Sequence, residues 1–323
     1  MGVDMVPVGH DLRETLESAL SLWWLRPENG LALASYCLAG TDLRPTPGEN
    51  AADFACGDGV NSFFKCGGRF APEFDLFGGA VHPATSREIV SQGIDVFAHQ
   101  ADDYNPQIRQ RPDRGYQWGT DHKPALLAKA RPLGFYQHLL EADLRQPAAI
   151  PAESLDLAYC NSLYWVPDVA TAFDHIVDKV RPGGRLVLDV MTDRRSALSF
   201  DALLPAMPQA WRDLMNRGRQ NNNPGILSQS GWEALFGRNE RVEIVGCRDI
   251  FPSAIAQIWN VGLRPLFPVL NRMADAIAAE RRPDIKREWV EIFADLFEPV
   301  LRDPGALMPT GPSARLQFII RRR

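Results

Sequence analysis

The sequence predicts an α/β fold, a mostly parallel sheet with helices on both faces. Three observations predict it. Short apolar, strand-like runs recur along the chain, directly after Asn50 and at 116–120, 139–142, 155–160, 185–190, 242–245 and 314–320. Several are separated by segments with apolar residues at helical spacing, and such alternation builds parallel sheets. The first run ends in Asp53-Phe54-Ala55-Cys56-Gly57-Asp58-Gly59, a glycine turn where the backbone bends sharply and a ligand can come close.

The elements follow in order. Residues 11–26 place Leu12, Leu16, Leu20 and Trp23 at helical spacing with a polar opposite face. A second helix is expected over 31–39, after the break Arg26-Pro27-Glu28-Asn29-Gly30. Residues 42–50 hold two prolines and a glycine and read as a linker. Beyond the glycine turn, 60–66 suits a short helix. Residues 67–115 then show no clean period, with Gly78-Gly79 and Asp102-Asp103-Tyr104-Asn105-Pro106 among them. A plain strand–helix–strand unit reaches its second strand sooner, so this stretch reads as an insertion.

Alternation resumes with the strand 116–120, which ends at Asp121, and a helix over Pro124–Ala130 with proline in its first turn. The strand 139–142 ends at Asp143. Strand 155–160, helix 169–180, the turn Arg181-Pro182-Gly183-Gly184 and strand 185–190 follow. A helix at 230–235 precedes the strand 242–245. Residues 253–311 break the pattern with two apolar stripes. One is Leu270, Met273 and Ile277; the other is Trp289, Ile292, Phe293, Leu296, Phe297 and Val300. They are expected to form the core of a helical cap before the last strand. The expected organisation is an N-terminal helical cap and linker (1–49), a core (50–252) with an insertion at about 67–115, a helical lid (253–311), and the last core strand (312–323).

Composition bounds the function. The 323 residues are 45% hydrophobic and 23% charged, with formal net charge −5, as in an ordinary globular protein. Nothing there suggests a nucleic-acid partner. Cys37, Cys56, Cys66, Cys160 and Cys247 are odd in number, and none forms a CxxC pair or a Cys/His cluster with metal spacing. With no signal peptide in view, a reducing cytoplasm is the expected setting and no metal is expected. No apolar run reaches the roughly 18 residues needed to span a bilayer.

The glycine turn constrains the ligand. A dinucleotide fingerprint has a third glycine where this chain has Ser62, and no Gly-Lys-Ser/Thr follows for a phosphate loop. Asp53 before the turn would repel a pyrophosphate and suits a cofactor that carries positive charge and an amino group. At this point the chain resembles the class I S-adenosylmethionine-dependent methyltransferases. Asp53–Gly59 is similar to their Asp-x-Gly-x-Gly-x-Gly motif, with Ala55 in place of the first glycine. Gly119-Thr120-Asp121-His122-Lys123-Pro124-Ala125-Leu126-Leu127 resembles the second motif, Glu141-Ala142-Asp143-Leu144 the third, Leu155–Ser162 the fourth strand and its exit, and Arg181–Leu186 the turn into strand five.

The resemblance implies a Rossmann-like seven-stranded sheet and S-adenosyl-L-methionine as cofactor. It implies that Asp53, Ala55, Cys56, Gly57, Asp58 and Gly59 cradle the methionine end, and that Asp121 takes the ribose with His122 beside it. Asp143 and Leu144 would face the adenine, and Asn161 and Ser162 would stand near the transferred methyl. A bland reading stands beside each: Asp121 as a helix cap, Asp143 as turn chemistry, Asp53 as a local cap. Asn161 and Tyr164 are the catalytic candidates. Tyr104, Tyr164, Trp165 and Trp259 are the candidates for substrate binding, with core packing as the alternative. The segment after strand four lacks Asn/Asp-Pro-Pro-Tyr and Pro-Cys, so DNA-base methylation is not indicated and Cys160 reads as a packed hydrophobe.

The acceptor expected is a small molecule, a sugar, lipid precursor or natural-product intermediate, methylated at oxygen or nitrogen by direct displacement. Two alternatives stay open: another enzyme on this fold (aminopropyl transfer or an NAD-dependent dehydrogenase), or a non-catalytic cofactor-binding partner protein.

Overall fold

The computed structural model describes residues 11–74, 76, 104–216, 224–263, 266–307, 311 and 313–323. Gly78-Gly79, Asp102-Asp103 and most of the insertion expected at 67–115 lie outside the described residues.

The chain begins with α1 (Leu12–Leu22), whose first turn is capped by Asp11, its carboxylate accepting from the Glu14 N–H. The next helix, α2, runs Pro27–Ala39 and so starts earlier than expected. Pro27 is its first residue, where a missing N–H costs nothing, so Arg26–Gly30 starts the helix instead of breaking the chain. Gly30 lets α1 and α2 cross closely, since a Cβ there would stand 2.9 Å from the Leu20 Cα.

The main sheet has seven strands in the order β5-β4-β1-β6-β7-β9-β8. They are β1 (Ala51–Phe54), β4 (Tyr116–Asp121), β5 (Tyr136–Glu141), β6 (Leu155–Cys160), β7 (Val180–Met191), β8 (Val242–Phe251) and β9 (Arg315–Arg322). Strand β1 pairs in parallel with both β4 and β6. The chain order therefore reverses at β1, and the crevice above its carboxyl end is where such sheets bind ligands. The last strand enters antiparallel between β7 and β8. This is the seven-stranded, mostly parallel Rossmann-like sheet that the sequence implied. A separate two-stranded ribbon of β2 (Arg69–Phe70) and β3 (Ile108–Gln110) frames the segment between β1 and β4.

Three expected boundaries move. The turn Arg181–Gly184 is a bulge on β7: Leu155 pairs with Val180 and Leu157 with Arg185, so four residues stand opposite Asp156. Strand β8 runs to Phe251, past Gly246, Arg248 and Asp249, because β9 holds it through two register shifts. Strand β5 starts at Tyr136; Gln137 and His138 face solvent on this edge and hide its period.

Helices at Ser253–Val261, Phe267–Asp275 and Arg282–Arg302 fill the gap between β8 and β9. Their apolar faces share one core with α1 and α2, in which Leu16, Leu20, Leu31 and Ala34 pack with Phe251, Ile255, Ala294 and Phe297. The stripes read from sequence need correction here. Ile292 and Leu296 are 52% and 59% exposed, and Met273 is 61% exposed. The buried line of the long helix is Val290, Ala294, Phe297 and Leu301, a spacing of four, three and four residues. Small Ala294 on that line, fully buried, lets the helix approach its neighbours. Lys286 at its start is buried, and its Nζ donates to the Pro72 and Phe74 carbonyls at 2.6 Å each. Among the described residues, no helix is long and apolar enough to cross a membrane, and no cluster of His, Cys, Asp or Glu could hold a metal.

Candidate cofactor and acceptor site

The turn after β1 leads into α3 (Val60–Lys65), and its conformation is demanding. Ala55, Gly57 and Gly59 all have positive φ, at 55°, 61° and 75°. Glycine takes that conformation freely; Ala55 does so at a cost of about 1–2 kcal/mol. The two glycines serve different ends. A Cβ on Gly57 would meet nothing within 4 Å, so that face of the turn borders open space. A Cβ on Gly59 would stand 2.8 Å from the Tyr136 ring, and one on Gly119 would also stand 2.8 Å from it. The absent side chains at 59 and 119 are what let Tyr136 lie against the turn.

Tyr136 uses that place to reach Asp53. Its hydroxyl donates to Asp53 Oδ2 at 2.7 Å, and Ser62 Oγ donates to the same oxygen at 2.5 Å. Asp53 is buried, and its second oxygen, Oδ1, has no hydrogen-bond partner among the described residues. Burial pushes its carboxyl up to about 7, although the hydrogen bonds from Ser62 and Tyr136 favour the anion. A buried carboxylate oxygen left open beside a glycine turn fits an incoming ammonium donor.

Strand pairing brings the second acid to the same turn. Phe54 lies opposite Thr120, and the Cys56 N–H donates to the Thr120 carbonyl at 2.7 Å. Asp121 Oδ2 then accepts from the Gly57 N–H at 3.0 Å, and Oδ1 from the Lys123 N–H at 2.9 Å. Asp121 thus closes a local turn at Lys123 while bracing the glycine turn, and the helix Pro124–Ala130 has no side-chain cap. His122 is exposed, with Nδ1 3.5 Å from Asp121 Oδ1. Asp58 Oδ1 accepts from the Val60 N–H at 3.1 Å and starts α3.

Asp143 and Leu144 line a pocket with Phe54, Thr120, Ala142 and Ile176. Asp143 also grips Arg145, whose Nη2 donates at 2.5 Å, and this pair with its backbone bond holds the carboxyl down at about 2. The Leu144 carbonyl lies 3.2 Å from His175 Nδ1, which places His175 in packing beside the pocket. On the far side, Ser162 Oγ reaches both the Ala55 carbonyl, at 3.5 Å, and Asn161 Oδ1, at 2.7 Å. The exit of β6 and the glycine turn therefore touch. Cys160 is fully buried and its thiol is pushed up to about 12, as suits a packed hydrophobe.

The structure divides the aromatic candidates. Tyr164 is buried, and Trp165 is half exposed, with ring centroids 6.0 Å apart. Trp259 lies in the helix Ser253–Val261 under the Arg195 guanidinium, 5.6 Å from the ring, and donates to Asn29 Oδ1. Tyr104 packs edge-on to Phe74 at 5.9 Å, under Lys129, against the same core as Trp259. Sequence reasoning missed Tyr136, Ser62, Tyr36, Arg195 and Arg315. It also missed the fully buried Asp189, which accepts from Lys65 Nζ at 2.6 Å, Tyr159 OH at 2.7 Å and Gln317 Nε2 at 2.8 Å. A charge inside the otherwise apolar run Leu186–Met191 was the available signal for that network.

Comparison with known proteins bears on the family. The family profile described as "Methyltransferase domain" matches residues 107–188. A trans-aconitate 2-methyltransferase of Escherichia coli O157:H7 (strain EC4115 / EHEC) is 37% identical over 203 residues, 60% of this chain and 70% of that protein. The protein of the same name from Escherichia coli (strain K12 / DH10B) is 37% identical over 214 residues, 63% of this chain and 74% of that one. A solved Thermotoga maritima methyltransferase, a possible histamine N-methyltransferase, covers 97% of this chain and 100% of its own at 11% identity and TM-score 0.45. With a methyltransferase-domain match across β4 to β7 and relatives of this similarity, the chain belongs to the class I S-adenosylmethionine-dependent methyltransferases.

Proposed function

We propose that this enzyme methylates a small molecule at oxygen or nitrogen, and that the acceptor enters beside Asn161 under the helical layer. The observation that carries the reading is the convergence of that layer on the exit of β6. Tyr36 from α2 lies 4.6 Å from the Arg315 guanidinium, which also lies 5.6 Å from the Tyr164 ring and donates to the Asn161 carbonyl. A roofed site of this kind suits a small acceptor better than a polymer. The relatives named for trans-aconitate support the same class and make that acid the first acceptor to assay.

Bound S-adenosylmethionine supplies an electrophilic methyl group on a sulfonium. We assign Asp53 to its ammonium, Gly57 and its open face to the methionine end, Asp121 to the ribose, and Asp143 with Leu144 to the adenine. The protein's part in the displacement is to hold donor and acceptor in line and to keep water out, which suits a site without a dedicated nucleophile. Asn161 and Ser162 border the transfer position.

Titration calorimetry tests the assignments. S-adenosylmethionine and S-adenosylhomocysteine should bind, NAD should not, and Gly57→Arg and Asp121→Ala should each weaken adenosyl binding at least tenfold. Release of S-adenosylhomocysteine on adding trans-aconitate or another small acceptor tests the transfer. Variants that bind the cofactor as the parent does would refute the site.

A further inference from the structure

Arg315 opens β9 at the carboxyl end of β7, where it pairs with Met191. It is buried, yet its Nε has no hydrogen-bond partner among the described residues. Its Nη2 donates to the Asn161 carbonyl at 2.9 Å. The guanidinium lies over two tyrosine rings, Tyr36 at 4.6 Å and Tyr164 at 5.6 Å. The carboxylate that acts on it, Asp189, is already bound to Lys65, Tyr159 and Gln317. A second cation, Arg195, is held nearby over Trp259, and the two guanidinium groups repel each other. Lys65 and Arg315 thus share one buried carboxylate, Asp189, and Lys65 makes the direct ion pair with it. The Arg315 Nε is thus a buried donor left open, and an anion with oxygen acceptors would satisfy it with a charge-assisted hydrogen bond.

From this geometry we infer an anion subsite at Arg315, bordered by Arg195, Tyr36 and Tyr164, that holds a carboxylate of the methyl acceptor. The inference rests on the methyltransferase site proposed above and names the acceptor class that site takes. The subsite adjoins Asn161, so an acid anchored there presents another oxygen, or the second oxygen of the same carboxylate, toward the transfer position. The planar guanidinium suits a carboxylate, since Nε and a terminal nitrogen form a two-pronged donor. Arg195 adds charge without needing direct contact. The methionine carboxylate of the cofactor has the same chemistry, and the experiment separates the two sources.

Titrate the wild-type complex with S-adenosylhomocysteine using acetate, succinate and tricarballylate, each beside its neutral amide. At least one acid should bind tenfold or more tightly than its amide. In Arg315→Gln that preference should fall to within twofold, while affinity for S-adenosylhomocysteine stays within twofold of wild type. Arg315→Lys keeps the charge but not the fork and should fall between. No acid preference in wild type, or a preference that survives in Arg315→Gln, overturns the subsite. A parallel loss of S-adenosylhomocysteine affinity in Arg315→Gln overturns it too, by assigning the arginine to the cofactor. The wild-type comparison stands even if the variants fail to fold. A wild-type protein that does not bind S-adenosylhomocysteine would instead remove the methyltransferase site itself.

Discussion

Asp53 shows how a motif position acquires its chemistry from residues far away in the chain. The acid itself was legible, because it precedes a glycine turn at a strand end. Its partner Tyr136 was not, because that contact depends on β4 and β5 pairing with Tyr116 opposite Tyr136, and on glycines at 59 and 119 leaving room for the ring. The folded carboxyl titrates at about 7, above the roughly 3.9 of a solvated aspartate. The proton-bound form is therefore favoured by the fold. Its contribution to stability is fully present below about pH 4 and is lost as pH rises through about 7. An ammonium placed at the open Oδ1 reverses the preference. Cofactor binding at pH 6 should release up to about one proton per site, and the release should fade by pH 8. Calorimetry in buffers of different ionisation enthalpy measures this directly. Asp53→Asn mimics the protonated form, so it should keep the fold and abolish the release. Equal release from wild type and Asp53→Asn would assign the proton to another group.

At the scale of elements, the sheet is pinned by ionic and polar contacts as well as by apolar packing. Lys65 at the end of α3 reaches Asp189 in β7, and Gln317 in β9 joins them while its Oε1 accepts from the Thr41 N–H at 2.6 Å. Burial alone would raise the Asp189 carboxyl, but the Lys65 and Arg315 charges hold it below the usual range. Removing one partner leaves the other charged and desolvated, so Asp189→Ala should cost about 3–5 kcal/mol in urea unfolding. Replacing both, as Lys65→Met with Asp189→Leu, should cost less than the single change. A cost under about 1 kcal/mol for Asp189→Ala would mean that water reaches the pair. Periodicity located this strand but not the network, because a one-dimensional pattern shows that a charge is buried and does not show its partner. The long helix shows the opposite limit. Large side chains such as Ile292 and Leu296 drew the stripe outward, whereas the packed line runs through small Ala294.

For the whole molecule, the core that joins the two ends of the chain decides whether the helices over the sheet are separable. The sequence divided them into an N-terminal cap and a later lid, since 1–49 and 253–311 are distant in the chain. In space α1, α2 and the helices 253–302 share apolar contacts, and polar ties reinforce them. Arg13 Nη1 pairs with Asp295 at 2.7 Å and Glu298 at 3.0 Å, and Glu28 binds Arg26 at 2.7 Å while its other oxygen accepts from the Leu263 N–H. Each fully buried leucine or phenylalanine contributes about 1.5–3 kcal/mol relative to exposure. Removing Arg282–Arg302 would bare Leu16, Leu20 and Leu31 together, a patch of the kind that drives aggregation. Replacing that helix with a Gly/Ser linker should therefore yield insoluble or loosely packed protein, not a soluble enzyme with an open acceptor site. The intact chain should melt in one calorimetric transition, which moves to higher temperature as S-adenosylhomocysteine at a hundred times its Kd stabilises the fold by about 2.7 kcal/mol. Two resolved transitions, of which the ligand shifts only one, would make the helical layer an independent unit. Acceptor entry would then be governed by its hinge motion, whereas a shared core requires entry through smaller local openings.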